Sequence, residues 1–154
     1  TIKASFTTAS DASKDAEAFI DTAIRSRKDY KGSCNPILFT TEDMLTDMLL
    51  LTDQIGHYMY NSVTDLATRL RVRQIVTVEV MENQTRSVTS KTHTLKGIIV
   101  NPTDYNIGAD RGGAINMFDD FDIDYNQQKY LIETRISGAL IKPYSAIAIE
   151  SATA

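Results

Sequence analysis

"RLRVRQIVTVEV", residues 69–80, is where this 154-residue chain changes its period. Before it, apolar residues recur at helical spacing; within it they alternate. Val72, Val76, Val78 and Val80 fall on one side of an extended segment, with Arg71, Arg73, Thr77 and Glu79 on the other. That is the pattern of a half-buried strand. Arg69, Arg71 and Arg73 then line one face of it, as a wet strand face or as a contact for a neighbouring subunit.

Upstream the reading is helical. Ser10 stands as an N-cap, with Asp11 and Asp15 in the first turn, where the helix dipole favours acids. Ala16, Phe19, Ile20, Ala23 and Ile24 follow at helical spacing, and Lys31-Gly32 closes the element. "NPILFTT" (35–41) reads as a short buried strand. Thr40 and Asp43 make a capping box for a second helix, whose stripe is Met44, Leu45, Met48, Leu49 and Ile55 and which ends near Gly56. Ser62 and Asp65 start a third, shorter helix with Leu66 and Leu70 facing inward. Residues 1–9 show no clear period.

Downstream, "MENQTRSVTSKTHT" (81–94) reads as a polar loop and "LKGIIVNP" (95–102) as a strand stopped by Pro102. Residues 104–125 read as two extended segments around a turn at "DRGG" (110–113). Residues 129–150 add two strands around Ser137-Gly138 and Pro143. Helices grouped early and strands late predict an α+β fold rather than alternating α/β.

Composition fits a globular domain, with 42% apolar and 23% charged residues. A net charge of −4 argues against nonspecific nucleic-acid binding as the main task, because neutralising phosphates needs a basic surplus. The charge is uneven: residues 104–124 hold six aspartates against Arg111, and residues 66–100 hold six basic residues against Glu79 and Glu82. Cys34 is the single cysteine, so no internal disulfide forms. No apolar run approaches the roughly 20 residues of a membrane span. The sequence opens on Thr1 rather than Met, which raises the expectation that it is part of a larger protein.

Few residues carry chemistry. Cys34 with His57 is the one conceivable thiol–imidazole pair, against the plainer expectation of a small core cysteine and a turn histidine. His93 reads as a solvated loop residue. "DFDIDY" (120–125) places Asp120, Asp122 and Asp124 at the first three ligand positions of a calcium loop. Such a loop needs glycine at its sixth position and glutamate at its twelfth, and Tyr125 and Leu131 stand there. The reading is therefore a strand with an acidic outer face and Phe121, Ile123 and Tyr125 facing inward, with no metal or cofactor expected.

The order of elements resembles the C-terminal half of the tailed-phage major capsid proteins of the Hong Kong 97 type, over about residues 19–150. Three pieces carry it: Leu51, Asp53, Gly56 and Tyr58 in "LTDQIGHY"; "DRGG"; and "ETRISGALIKPYSAI", with Arg135 and Pro143. A departure is "RLRVRQI", where the family often carries a Gly and a Pro. The resemblance implies an axial (A) domain from residues 1–111 and 136–154, with residues 112–135 as a β segment of the peripheral (P) domain. It implies that the N-terminal arm, E-loop and spine helix precede Thr1. The function it implies is structural rather than enzymatic: a virion protein of a phage or prophage, assembling in the host cytoplasm as pentamers and hexamers into an icosahedral head around DNA.

Its implied partners are other copies of itself, with scaffolding and portal proteins, and no membrane. The candidate contacts between subunits are Arg69, Arg71, Arg73, Asp120, Asp122, Asp124 and Asn126, the last in the neighbourhood where some members crosslink. An encapsulin-like shell shares the implied fold, and an unrelated α+β enzyme or ligand-binding domain using Cys34 and His57 also stays open.

Overall fold

A computed structural model describes residues 1–9, 11–109 and 116–153. The chain is α+β, and it divides into two compact units, residues 1–104 with 142–154, and residues 105–141.

In the first unit, β10 (Ala146–Ala152) and β5 (Lys91–Val100) form the middle of a six-stranded mixed sheet of order β1-β10-β5-β2-β3. β1 (Ile2–Thr7) runs parallel to β10 and β3 (Ile75–Thr77) parallel to β2 (Ile37–Thr40). The far edge of β5 is shared in tandem: Gly97–Val100 pair with β2, and Lys91–Thr94 pair with β4 (Thr85–Val88). Leu38, Ile99, Ile147 and Ile149 are fully buried, and they meet the apolar residues of α1 (Ala12–Ser26), α2 (Glu42–Leu49) and α3 (Val63–Leu70) in one cluster. Phe19 of α1 stands edge-on to Phe6 of β1, their ring centroids 6.4 Å apart. Its ring tip rests on Gly97, where an added Cβ would lie 2.8 Å from Phe19 Cζ.

Sequence and structure agree on α3: the Ser62 hydroxyl accepts the Asp65 N–H, and Leu66 and Leu70 are buried. The stripe Ala16, Phe19, Ile20 and Ala23 is buried as its spacing requires. At the start of that helix Asp11 is the N-cap, accepting the Ser13 N–H; Ser10 lies outside the described residues, as does the "DRGG" turn. The second helix is capped by Thr41, whose hydroxyl accepts the Met44 N–H, and not by Thr40, whose hydroxyl is buried and donates to the Lys96 carbonyl. That helix stops at Leu49. Ile55 is 81% exposed and has no place in its stripe.

Residues 69–80 depart furthest from their reading. Arg69 is in the last turn of α3, and Arg71 is its left-handed C-cap at φ 55°. Only residues 75–77 are strand. β2 offers a four-residue partner, and after Val78 donates to the Thr40 carbonyl the ladder is used up. A 3-10 turn over Glu79–Met81 then buries Met81 and leaves Val80 exposed. The three arginines therefore do not line one extended face. Residues 81–94 are no open loop either: β4 and β5 form a hairpin whose turn residues, Thr89 and Ser90, take φ of 49° and 66°. Such two-residue turns usually announce themselves with Asn or Gly, and here they do not. β1 was hidden in the polar N-terminal stretch, although Ile2, Ala4 and Phe6 do alternate with Lys3, Ser5 and Thr7.

In the second unit, β6 (Tyr105–Ala109) pairs with β9 (Ile136–Leu140), and β7 (Asn116–Asp122) pairs with β8 (Gln127–Glu133). Both are two-stranded antiparallel ribbons. Ser137 and Gly138 lie inside β9 rather than between strands.

Candidate functional site

Four places among the described residues gather polar side chains or unusual exposure.

In the first unit, Asp104 is buried beside the segment after α1. Its carboxylate accepts the Ser33 hydroxyl at 2.5 Å and the Ser33 N–H at 2.6 Å, and the Lys142 ammonium stands 3.1 Å away. Lys142 also donates to Ser33 Oγ at 2.7 Å, and Asn101 donates its amide to the Cys34 carbonyl at 2.8 Å. Three segments far apart in sequence are thus tied together. The Ser33 hydroxyl and its main-chain N–H, with Lys142, hold the Asp104 carboxyl below the usual carboxylate range. Burial, and then the Asp104 charge, push the Tyr30 phenol up. Lys142 donates to both the carboxylate and the hydroxyl, so the three side chains close into an ion-pair latch.

The latch makes stability depend on pH in a definite direction. Asp104 titrates lower in the folded chain than in the unfolded one, so folding favours its ionised form. Its contribution is complete above the unfolded value of about 3.9 and is lost as pH falls through the folded value. Asp104→Asn is expected to lower stability at pH 7 and to flatten the acid limb of a plot of urea midpoint against pH. An acid limb as steep as that of the unsubstituted protein would refute this role.

A second polar group lies on the sheet. Glu150, buried on β10 beside a register shift, receives Arg86 of β4 in a two-pronged ion pair, Nε to Oε1 at 2.8 Å and Nη2 to Oε2 at 2.6 Å. His93 of β5 is half-buried beside them, its Nδ1 3.5 Å from Glu150 Oε2, and is not a solvated loop residue. The glutamate raises the Arg86 pKa further, and the pair pins the hairpin to the centre of the sheet.

The loop after α2 is shaped by Asp53. Its side chain accepts the N–H groups of Ile55 and His57 at 2.8 and 3.0 Å, which pulls its own pKa down. Gly56 turns at φ 90°, Thr52 pairs with Tyr58, and Leu51 is buried beneath. The spacing of Leu51, Asp53, Gly56 and Tyr58 is thus the recipe for one tight loop.

In the second unit, β7–β8 exposes apolar side chains on both faces of its ribbon. Met117 pairs with Ile132 on one face and Phe118 with Leu131 on the other, all exposed, with Tyr130 at 64%. Asp120 and Asp122 lie on β7, but the strand ends there; Asp124 belongs to the turn over residues 123–126, which Asn126 closes at φ 51°. The aspartates therefore do not form one strand face. Phe121, Ile123 and Tyr125 are exposed, up to 84% at Ile123, because no second layer covers this ribbon among the described residues. Asp122 accepts from Lys129 across the hairpin and from the Asp124 N–H at 3.1 Å. Asp119, Asp120 and Asp124 carry no ion pair among the described residues.

The remaining sequence candidates are scattered. Cys34 is exposed rather than a core residue, and His57 sits exposed on the Asp53 loop. Arg69 borders a concavity of about 200 Å³ with Glu17 and Asp21, Arg71 gives its carbonyl to Arg27, and Arg73 donates its N–H to the Pro36 carbonyl. A basic concavity that sequence reasoning missed is lined by Lys3, Lys28 and Lys31 with Asp29, Ile2 and Tyr144. Its residues come from three separate stretches, so no local run of charge could have shown it. No described helix is long and apolar enough to cross a membrane.

No family model matches the chain, and no curated protein is similar to it.

Proposed function

We propose that the chain is a structural subunit of a closed protein shell, a coat protein of the Hong Kong 97 type whose copies assemble as pentamers and hexamers around DNA. One observation carries the reading. The β7–β8 ribbon exposes Met117, Phe118, Tyr130, Leu131 and Ile132 on its two faces. A lone two-stranded ribbon is marginal in water, and contiguous exposed apolar side chains mark a surface that another molecule covers. The order of elements and the Leu51–Tyr58 loop support the same reading. In this reading residues 1–111 and 136–154 serve as the axial domain, residues 112–135 belong to the peripheral domain, and the latch and the Glu150 pair stiffen the subunit rather than turn over a substrate.

The test is to express the complete reading frame that encodes this chain and to examine the product by sedimentation and electron microscopy. Closed particles of uniform size are expected. DNA inside them points to a phage head, and packaged protein to an encapsulin-like shell. A species of one or two copies under all assembly conditions would sink the proposal.

A further inference from the structure

The shell reading leaves open which surface receives the acidic hairpin, and charge complementarity selects one. Between residues 116 and 133 the chain holds five acidic residues and one lysine. That lysine, Lys129, is engaged by Asp122. The turn then presents Ile123 and Tyr125, 84% and 74% exposed, beside Asp124, with Asp120 just behind on β7. The hairpin end is therefore both anionic and apolar.

Of the two concavities described above, one is its complement. The one at Arg69 sets a single arginine against Glu17 and Asp21, so it repels acid. The other, about 550 Å³, sets Lys3, Lys28 and Lys31 against Asp29 alone, with Ile2 and the half-exposed Tyr144 as apolar floor. Lys31 is fixed there: its N–H donates to the Tyr144 carbonyl at 3.0 Å, and its ammonium lies 5.5 Å from the centre of the Tyr144 ring. Arg71 and Arg73 share no common face with Arg69, so the arginine stretch forms no single receiving surface.

We infer that the tip of the β7–β8 hairpin of one copy docks in the Lys3–Lys28–Lys31 concavity of the next. This inference rests on the shell reading. Each copy would use the hairpin on one side and the concavity on the other, a heterologous contact that builds rings when it closes. Ile123 and Tyr125 would lose water against Ile2 and Tyr144, while Asp120 and Asp124 meet the lysines. The ion pairs sit at a wet rim, so added salt weakens the contact.

The experiment uses charge reversal in the full-length protein. Asp120→Lys with Asp124→Lys, and separately Lys28→Glu with Lys31→Glu, each place like charges together. Like charges across a contact are strongly penalised, so each variant alone should assemble at least about tenfold less. All four changes in one chain should restore assembly, and mixing the two singly reversed proteins should restore their association with each other, since each then offers the other its complement. Unchanged assembly in either reversed protein would overturn the contact and leave the shell reading standing. Rescue in the four-substituted chain without association of the two reversed proteins on mixing would overturn it too, because the hairpin would then serve its own chain. Absence of particles from the unsubstituted protein would remove both. Unaltered thermal melting of the variants separates lost contact from lost fold.

Discussion

Phe19→Ala is expected to cost about 3–5 kcal/mol, measured by urea unfolding, the usual loss for a fully buried phenylalanine. Phe19 is wholly excluded from water, stacks edge-on against Phe6, and seats its ring tip on Gly97 of β5. The site is tight from both sides. Gly97→Ala should cost about 1–3 kcal/mol by itself, because the new methyl runs into the Phe19 ring and lies 3.3 Å from Leu38 Cδ1. Combined, the two changes should cost less than their sum by about 0.5 kcal/mol or more, since the methyl enters the space the ring vacates. Strict additivity would show that Phe19 and Gly97 do not share this contact.

Phe118→Ser with Leu131→Ser should have the largest effect on assembly. The two side chains face each other across the hairpin and are 54% and 60% exposed. Exposed positions contribute little to the monomer, so melting of the first unit should move by less than about 0.5 kcal/mol. If a second copy covers them, each lost side chain removes about 1.5–3 kcal/mol from the contact. Together that is on the order of a hundredfold or more in association, repeated at every interface of a shell. The readout is particle yield by sedimentation. Normal yield would mean that this face is not covered by a neighbour.

Much of the α+β fold was legible. The Ser62–Asp65 cap and the stripe of α1 are local signals, complete within a few turns of helix, and both stand in the structure. Capping by Thr41 instead of Thr40 is a one-residue error with a tertiary cause: Thr40 is taken by the Lys96 carbonyl across the sheet. The candidate site was less legible. Asp120, Asp122 and Asp124 alternate as a strand would, yet the hairpin turns after Asp122 because of where β8 pairs. The Arg69–Arg73 alternation failed because α3 runs on to Leu70 and Arg71 caps it in the left-handed conformation, so the strand starts only at Ile75.

What the sequence determined by itself is what short-range physics can set: the Ser62 cap, the amphipathic stripe of α1, and the absence of a completed calcium loop at residue 120. Tertiary structure alone decided which strands neighbour β5 and β10, and that Ser33, Asp104 and Lys142 meet. It also decided that Lys3, Lys28 and Lys31 share one concavity. These depend on pairings between residues far apart in the chain, Ile2 with Ile147 at the extreme. Hydrophobic period fixes which face of a strand is buried, but it carries no information on which distant strand will pair with it.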